Sequence, residues 1–257
     1  MIATSSTRDT VKILGVRVDR VTMNQAIERI ESFIKNSDSH VVVTADSSGL
    51  YAQLKDRELH SIMEGADLVT PDSFGVVWAA KKMNEKVEGR VNGVEIMDRV
   101  CALSAQKGYR LFFLGASPGV AEQAAERMRL KYPGTNIVGT RHGYFPSSDD
   151  AVVAEEIAPL KPDVLFVAMG IPRQEKFIAS TKNIVKFKVG IGVGGSFDVF
   201  SGNSKRAPKL VQKVNLEWLW RLIQNPKKIS KCASLPKFVF AVVKDSRKQS
   251  HQSEDQK

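Results

Sequence analysis

Residues Lys188–Pro208 read KVGIGVGGSFDVFSGNSKRAP, and this stretch decides how the chain is interpreted. It begins as an apolar run rich in valine and isoleucine, passes through Gly190, Gly192, Gly194 and Gly195, and ends in Lys-Arg-Ala-Pro. Glycines after a buried strand allow backbone N–H groups to approach a ligand closely, because no Cβ intervenes. Such N–H groups bind phosphate well. The stretch therefore predicts a phosphate-contacting loop at the end of a strand.

Strand and helix patterns alternate on the N-terminal side of this stretch. A strand or hairpin arm is predicted at 12–19, and strands at 40–44, 67–70, 109–114, 136–140, 163–168 and 185–191. Helices are predicted at 23–35, after Ser48 to about residue 59, and at 74–82, 95–106, 118–132, 149–158 and 172–180. This alternation predicts an α/β fold, with a Rossmann-like, mostly parallel sheet and helices on both faces.

Ligands in such folds bind beyond the carboxyl ends of the strands. Thr44, Asp72, Gly115 and Gly192–Gly195 all fall at predicted strand ends. Asp72 has two interpretations that the residues alone leave open. It is either the N-cap of the helix that follows or a carboxylate general base at the crevice.

Three further polar residues lie near predicted turns. Arg90 precedes the turn dipeptide Asn92-Gly93, and Arg206 ends the turn after the glycine stretch. Either arginine is a surface charge or a ligand for a diphosphate, which requires a fork of donors. Gln174 begins a predicted helix, where capping is the alternative to a binding role.

The net charge of +10 is concentrated at one end of the chain. From Phe200 onward there are thirteen Lys/Arg against four Asp/Glu, whereas the first 199 residues carry 25 against 24. Nucleic acid, an anionic membrane or a phosphate-rich substrate would each explain a basic tail. We expect an α/β body at 1–200, a basic helical appendage at 201–245 and a disordered tail at 246–257.

The remaining composition favours a cytoplasmic protein. No apolar segment at the start resembles a signal peptide, no run reaches membrane-spanning length, and Cys101 and Cys232 show no disulfide or zinc pattern. D-x-D, H-E-x-x-H, C-x-x-C and P-loop motifs are missing, which weighs against metalloenzymes and kinases.

Two alternatives from other functional classes remain open. Gly190-x-Gly192-x-x-Gly195 matches the dinucleotide fingerprint, although it occurs in the last βα unit and lacks the acidic residue that binds ribose. The first alternative is therefore an NAD(P)-dependent oxidoreductase. The second is a nucleic-acid-binding protein that uses its basic tail.

The chain resembles the WecG/TagA/CpsF family of bacterial glycosyltransferases over about Val11 to Lys231. Nine motifs carry the resemblance in order: Thr22-Met23-Asn24-Gln25-Ala26, Thr44 after its strand, Pro71-Asp72-Ser73-Phe74-Gly75 with Val77-Trp78-Ala79, Arg90-Val91-Asn92-Gly93, Phe113-Leu114-Gly115-Ala116, Gly170-Ile171-Pro172-Arg173-Gln174-Glu175, Gly192-Val193-Gly194-Gly195-Ser196-Phe197-Asp198, Lys205-Arg206-Ala207-Pro208 and Leu216-Glu217-Trp218-Leu219-Trp220-Arg221-Leu222.

The resemblance implies an inverting glycosyltransferase that needs no metal or other cofactor. Such an enzyme transfers a sugar, most often N-acetylmannosamine, from a UDP-sugar to a polyprenyl-diphosphate-linked sugar in cell-wall, teichoic-acid or other polysaccharide synthesis. It would act at the cytoplasmic face of the plasma membrane as a peripheral protein. The basic appendage would bind the anionic membrane, no nucleic acid partner is implied, and an apolar face on the tail would serve a homo-oligomer as well as a membrane.

The resemblance also assigns roles to residues. Asp72 matches the proposed general base. Residues implied on the substrate side are Thr44, Arg90, Asn92, Gln174, Arg206 and Arg221. Residues implied on the nucleotide side are Gly115, Gly192, Gly194, Gly195 and Asp198.

One departure from the family pattern concerns the loop after Thr44. Many relatives have an asparagine two residues on and a histidine nearby, whereas Asp46 and Ser48 stand in this loop here. If the loop recognises the donor sugar, a UDP-glucose, UDP-galactose or UDP-uronic acid donor for capsule or exopolysaccharide becomes an alternative.

Overall fold

The computed structural model describes residues 9–204 and 234–254, with side chains to residue 247. The strands in this part of the chain are β1 Thr10–Ile13, β2 Val16–Asp19, β3 His40–Ala45, β4 Leu68–Pro71, β5 Leu111–Gly115, β6 Ile137–Arg141, β7 Val164–Ala168 and β8 Val189–Gly192. The helices of the body are α1 Met23–Ile34, α2 Ser47–Ala52, α3 Arg57–Gly65, α4 Phe74–Lys82, α5 Gly93–Lys107, α6 Val120–Lys131, α7 Asp150–Ile157, α8 Arg173–Val185 and α9 Ser196–Phe200. A C-terminal helix covers Ser234–Glu254.

Six strands form one sheet in the order β4-β3-β8-β7-β5-β6, and every neighbouring pair is parallel. The predicted Rossmann-like parallel sheet is therefore confirmed. Strands β1 and β2 form a separate antiparallel hairpin, as the predicted hairpin arm allowed. Its two-residue turn, Leu14-Gly15, has positive φ at both positions, which suits the twist of a tight hairpin.

Strands β5 and β7 are apolar and buried along their whole length because both faces of the sheet are covered. Alternate side chains enter two cores, so Val41 and Val43 pack on one face and Val42 on the other. Helices α2, α3, α4, α7 and α8, the hairpin and the C-terminal helix cover the first face. Helices α1, α5, α6 and α9 cover the second face.

The middle of the sheet creates the crevice in which ligands bind. Strands β3 and β8 are neighbours, yet the chain leaves β3 for α2 on one face and β8 for α9 on the other face. Such a switch point leaves an open crevice at the carboxyl edge of the sheet. The predicted strand-end residues Thr44, Asp72, Gly115 and Gly192 all lie at this edge.

Two predicted element boundaries in the body are wrong, and both errors have local causes. The helix predicted up to residue 59 is two helices, because Asp46 and Asp56 each cap a separate one. The strand predicted from residue 185 begins at Val189, because α8 continues to Val185 and ends where Lys186 adopts a left-handed conformation.

The C-terminal helix differs from the expectation of disorder from residue 246, since it continues to Glu254. Phe238 and Val242 are fully buried in the core shared with α2 and α4, and this contact anchors the helix. The limits predicted for the body and the appendage otherwise stay predictions. Residues 205–233 of the predicted helical appendage lie outside the described residues.

A buried carboxylate attaches the hairpin to the edge of the sheet. The Asp19 side chain is inaccessible to solvent. Its Oδ2 accepts a hydrogen bond from the Val69 N–H of edge strand β4 at 2.8 Å, and its Oδ1 pairs with Arg29 Nη1 of α1 at 2.6 Å. One side chain thus holds β2, β4 and α1 together, just before β4 ends at the crevice.

We expect Asp19→Ala to lower the free energy of unfolding by about 3 kcal/mol, because it leaves a buried N–H and a guanidinium without their acceptor. Urea denaturation followed by circular dichroism would measure this. The matched control is Asp9→Ala, since Asp9 pairs with Arg20 but is 77% exposed, and the loss there should be at most about 1 kcal/mol. Equal stability of the two variants would contradict the structural role of Asp19.

Candidate active site

The floor of the crevice is fixed by a hydrogen bond between its two central strands. Thr44 is buried in β3, and its hydroxyl donates to the Gly192 carbonyl of β8 at 2.7 Å. The bond holds the carboxyl ends of β3 and β8 together at the switch point. Thr44, predicted on the substrate side, therefore lies at the base of the crevice.

Asp72 is held at the same edge by two backbone hydrogen bonds. Its N–H donates to the Ala45 carbonyl of β3 at 3.0 Å, and its Oδ1 accepts from the Gly93 N–H at 2.7 Å. Gly93 is the first residue of α5, so the carboxylate lies at the positive end of that helix dipole. The interpretation of Asp72 as the N-cap of the helix that follows it is wrong. Ser73 is the N-cap of α4, and Asp72 contacts α5 instead.

The start of α5 also contacts the loop after β8. A Cβ added at Gly93 would lie 3.2 Å from Val193 Cα and 3.5 Å from Thr44 Oγ1. The first turn of α5 can thus approach β3 and β8 because residue 93 has no side chain. Asp72, Thr44 and Val193 consequently converge on Gly93.

Asn92 and Arg90 lie in the loop that leads into α5. Asn92 is the N-cap of α5, and its Oδ1 accepts from the Glu95 N–H at 3.0 Å. The loop is held against β4 because the Val91 N–H donates to the Pro71 carbonyl at 2.9 Å. Arg90 is half-buried beside Asp72's strand end. The substrate contacts predicted for both residues stay predictions.

Gln174 connects two loops of the crevice. It is buried in the first turn of α8, and its Oε1 accepts from the Gly170 N–H at 3.1 Å and from the Gly194 N–H at 3.0 Å. Its Nε2 donates to Glu175 Oε1 at 2.7 Å. The side chain thus fixes the glycine loop against the turn before α8.

The glycine stretch combines packing with exposure. A Cβ at Gly190 would meet Ile178 and Phe187, and one at Gly192 would lie 2.5 Å from Gln174 Nε2, so the first two glycines of the dinucleotide-like match serve strand–helix packing. Gly194 has a φ of +53°, and a Cβ there would meet open space. Gly195 is the N-cap of α9, whose first turn contains Asp198. The Gly194 N–H already donates to Gln174. Gly195 is therefore better placed than Gly194 to contact a ligand.

The neighbouring strand ends form one side of the crevice. Gly115 ends β5 and packs so closely on β7 that a Cβ would lie 2.5 Å from the Ala168 carbonyl oxygen. The Gly143 N–H, after β6, donates to the Ala116 carbonyl at 2.9 Å. The loops after β5 and β6 are therefore held against each other.

Sequence reasoning missed Tyr144 on this side of the crevice. It is 71% exposed, and its hydroxyl accepts from Ser117 Oγ at 3.2 Å. An exposed aromatic ring beside a nucleotide-side loop provides a flat surface for a base or sugar. The sequence feature that could have indicated Tyr144 is its position, three residues after the end of strand β6.

The loop with Asp46 and Ser48 is closed by its own hydrogen bonds. Asp46 Oδ1 accepts from the Gly49 N–H and from Ser48 Oγ, both at 2.7 Å, so Asp46 caps α2. An asparagine would cap this helix equally well. The departure from the family pattern thus keeps a residue that caps α2 and places a carboxylate directly after Ala45, whose partner across β3 and β4 is Pro71, the residue before Asp72.

The candidate residues Arg206 and Arg221 lie outside the described residues. In the described part of the chain, Phe238 of the C-terminal helix packs beside Gly75, which is near the start of α4. Within residues 9–204 and 234–254, no helix combines the length and apolar character needed to cross a membrane.

A parallel sheet with a switch-point crevice and a glycine loop is the arrangement in which α/β proteins bind phosphate-bearing ligands. Comparison with known sequences makes this specific. Residues 11–252 match the family described as "Glycosyl transferase WecG/TagA/CpsF family", so the chain belongs to this family of glycosyltransferases, as its motifs predicted.

The relatives match over most of their length and most of this chain. The chain is 34% identical to an N-acetylglucosaminyldiphosphoundecaprenol N-acetyl-beta-D-mannosaminyltransferase of Bacillus subtilis strain 168, over 85% of this chain and 88% of the relative. A protein of the same name from Bacillus spizizenii is 35% identical, over 84% and 83%. One from Staphylococcus aureus strain MRSA252 is 34% identical, over 93% and 94%.

We expect Gly192→Ala to destabilise the protein by about 1–3 kcal/mol, because its methyl group would displace the buried Gln174 side chain. Urea unfolding would measure the change. Gly65→Ala is the control, since residue 65 ends α3 and a Cβ added there would meet open space. This substitution should be neutral or slightly stabilising. If both variants have the same free energy of unfolding, the close packing of Gln174 on Gly192 does not contribute to stability.

Proposed function

We propose that this protein transfers N-acetylmannosamine from UDP-N-acetylmannosamine to N-acetylglucosamine carried on a polyprenyl diphosphate. The names of the relatives at 34–35% identity support this donor sugar and this acceptor. The observation that carries the proposal is the Asp72 carboxylate, which is held at the crevice by the N-terminus of α5 beside Thr44 and the glycine loop. The reaction would serve the synthesis of a cell-surface polymer.

Asp72 would act as the general base of an inverting displacement. It accepts the proton of the acceptor hydroxyl while that oxygen forms a bond to the anomeric carbon, and the bond from this carbon to UDP breaks with the electron pair leaving on the diphosphate. The α5 dipole favours the ionised carboxylate that a base needs at neutral pH. Retention of the hydrogen bond to Gly93 would hold the second carboxylate oxygen in a fixed direction.

Backbone N–H groups and cations would stabilise the leaving UDP, on which negative charge develops. In this proposal, three groups lie on the nucleotide side of the crevice: the loop that contains Gly195, Asp198 and Gly115. Arg206 and Arg221 remain proposed partners of the diphosphate. Because side chains and N–H groups would supply this stabilisation, we propose that the reaction needs no metal ion.

Donor choice is the finer point of the proposal. Asp46 and Ser48 satisfy each other in the α2 cap, which supports the same loop geometry as in relatives with asparagine. The added charge beside Asp72 favours donors that present hydroxyl or amide hydrogens over an anionic uronic acid. A UDP-hexose donor remains the alternative within the family.

We expect Asp72→Asn to lower turnover about 10²–10⁴-fold, because the amide still accepts the Gly93 hydrogen bond but cannot take a proton. Acceptor consumption would be followed by chromatography, and UDP affinity by calorimetry. UDP affinity should stay unchanged. Asp38→Asn, at an exposed position before β3, is the control and should retain full activity. A turnover near that of the wild type in Asp72→Asn would remove Asp72 from the reaction.

We also propose that the C-terminal helix contacts an anionic membrane from the cytoplasmic side. Its inner residues Phe238 and Val242 pack on the body, whereas Lys237, Lys244 and Arg247 are exposed. Phe240, 71% exposed, shares the helical face of these cations, since positions 237, 240, 244 and 247 recur at helical spacing. Basic residues around an exposed aromatic ring are typical of interfacial helices.

We expect the triple variant Lys237→Gln, Lys244→Gln, Arg247→Gln to bind vesicles of phosphatidylglycerol about 100-fold more weakly, since each cation near an anionic surface contributes about 1 kcal/mol. Vesicle sedimentation would measure binding. The control is Lys12→Gln, Lys161→Gln, Lys182→Gln, which removes the same charge from exposed positions of the body. Equal loss in both triple variants would show that net charge alone, and not this helix, determines binding.

A further inference from the structure

Outside the residues already discussed, three side chains form a cluster between β6, α7 and α8. The guanidinium carbons of Arg141 and Arg173 lie over the Phe145 ring, 4.9 and 5.1 Å from its centroid. The edge of the ring faces Phe177 of α8, with 6.0 Å between the ring centroids. We refer to Arg141, Phe145 and Arg173 as the Arg–Phe–Arg cluster.

Each arginine of the cluster is oriented by a carboxylate of α7. Both terminal nitrogens of Arg173 donate to Asp150, one of them at 2.8 Å, in a bidentate pair. Arg141 Nε donates to Glu156 Oε2 at 2.8 Å. A guanidinium that is bound edge-on to a carboxylate and face-on to a ring is fixed in orientation as well as in position. The cluster thus connects the end of β6, α7 and the start of α8.

Two residues of the cluster are adjacent in sequence to loop residues of the crevice. Phe145 follows Tyr144, whose loop rests on the loop after β5 through the Gly143–Ala116 hydrogen bond. Arg173 precedes Gln174, which holds the N–H groups of Gly170 and Gly194. A displacement of the cluster would move Tyr144 and the side-chain carbonyl of Gln174 together. These two groups flank the proposed nucleotide site.

We propose that Arg141, Phe145 and Arg173 are positioning residues for the nucleotide half of the active site. They do not touch the donor; they act through Gln174 and the Tyr144 loop. This inference rests on the proposed function, since it assumes that UDP binds beside Gly115 and Gly195. The side chains of both arginines are about a quarter exposed, so the cluster lies at the carboxyl edge rather than in the core.

Two substitutions test the cluster in the full chain. Phe145→Leu keeps an apolar side chain but removes the aromatic face, and Arg173→Lys keeps the charge but loses the fork and the planar contact. Phe145→Tyr restores the aromatic face. Arg110→Lys is the matched control, because Arg110 also donates through its fork, to Leu160 and Lys161 carbonyls, but at the amino edge of the sheet.

The first readout is the dissociation constant for UDP, measured by calorimetry. We expect it to rise about tenfold in Phe145→Leu and in Arg173→Lys, because misplacement of binding groups weakens contacts to the ligand. Phe145→Tyr and Arg110→Lys should stay within about twofold of the wild type. The second readout is hydrogen exchange without ligand, which should accelerate in peptides covering 142–145 and 170–174 and remain unchanged in β5 and β7.

Unchanged UDP affinity and unchanged loop exchange in both test variants would overturn the proposal. Acceleration of exchange throughout β5 and β7 would also overturn it, because the cluster would then serve global stability. A wild-type protein that does not bind UDP would contradict the proposed function instead. Loop exchange in the ligand-free variants would then still decide whether the cluster positions these loops.

Discussion

The hydrogen bond from the Gly93 N–H to the Asp72 carboxylate is the constraint on which the site depends. It joins the end of β4 to the start of α5, so one bond fixes the candidate base against the N-terminus of this helix. A hydrogen bond to an ionised acceptor is also stronger than a neutral one. The Thr44–Gly192 bond places β3 and β8 beneath this pair. The position of the base is therefore determined by three strands and one helix rather than by a free loop.

The opposite half of the crevice is built on a different principle. The groups proposed to face UDP belong to loops, and their arrangement depends on Gln174 and on the Arg–Phe–Arg cluster. Rigid strand ends hold the candidate base, whereas side-chain contacts hold the loops that are proposed to bind UDP. The C-terminal helix adds a third component, since Phe238 packs beside α4 just after Asp72 and the opposite face carries exposed cations. This arrangement would bring a membrane-bound acceptor and the base to the same edge of the molecule.

Much of the fold follows from local sequence patterns. Apolar runs and helical spacing predicted the parallel sheet and the order of its elements, because a strand between two helix layers must be apolar throughout. Strand ends such as Thr44 and Asp72 followed from that sheet. The partner of Asp72 did not, since capping of its own helix was the local expectation and the bond to Gly93 spans 21 residues. The roles of Gln174 and Phe145 likewise depend on contacts between distant loops, and the docking of the C-terminal helix depends on the surface of α2 and α4.

The most direct measurement is UDP release from UDP-N-acetylmannosamine in the presence of EDTA, with and without a synthetic polyprenyl-diphosphate-linked N-acetylglucosamine. Release that requires this acceptor, with formation of an inverted disaccharide, is the predicted result. It would establish the donor, the acceptor and the independence from metal in one assay. Release from UDP-glucose, UDP-galactose or a UDP-uronic acid but not from UDP-N-acetylmannosamine would contradict the proposed donor. Release that requires added metal ions would contradict the proposed stabilisation of UDP by the protein's own groups.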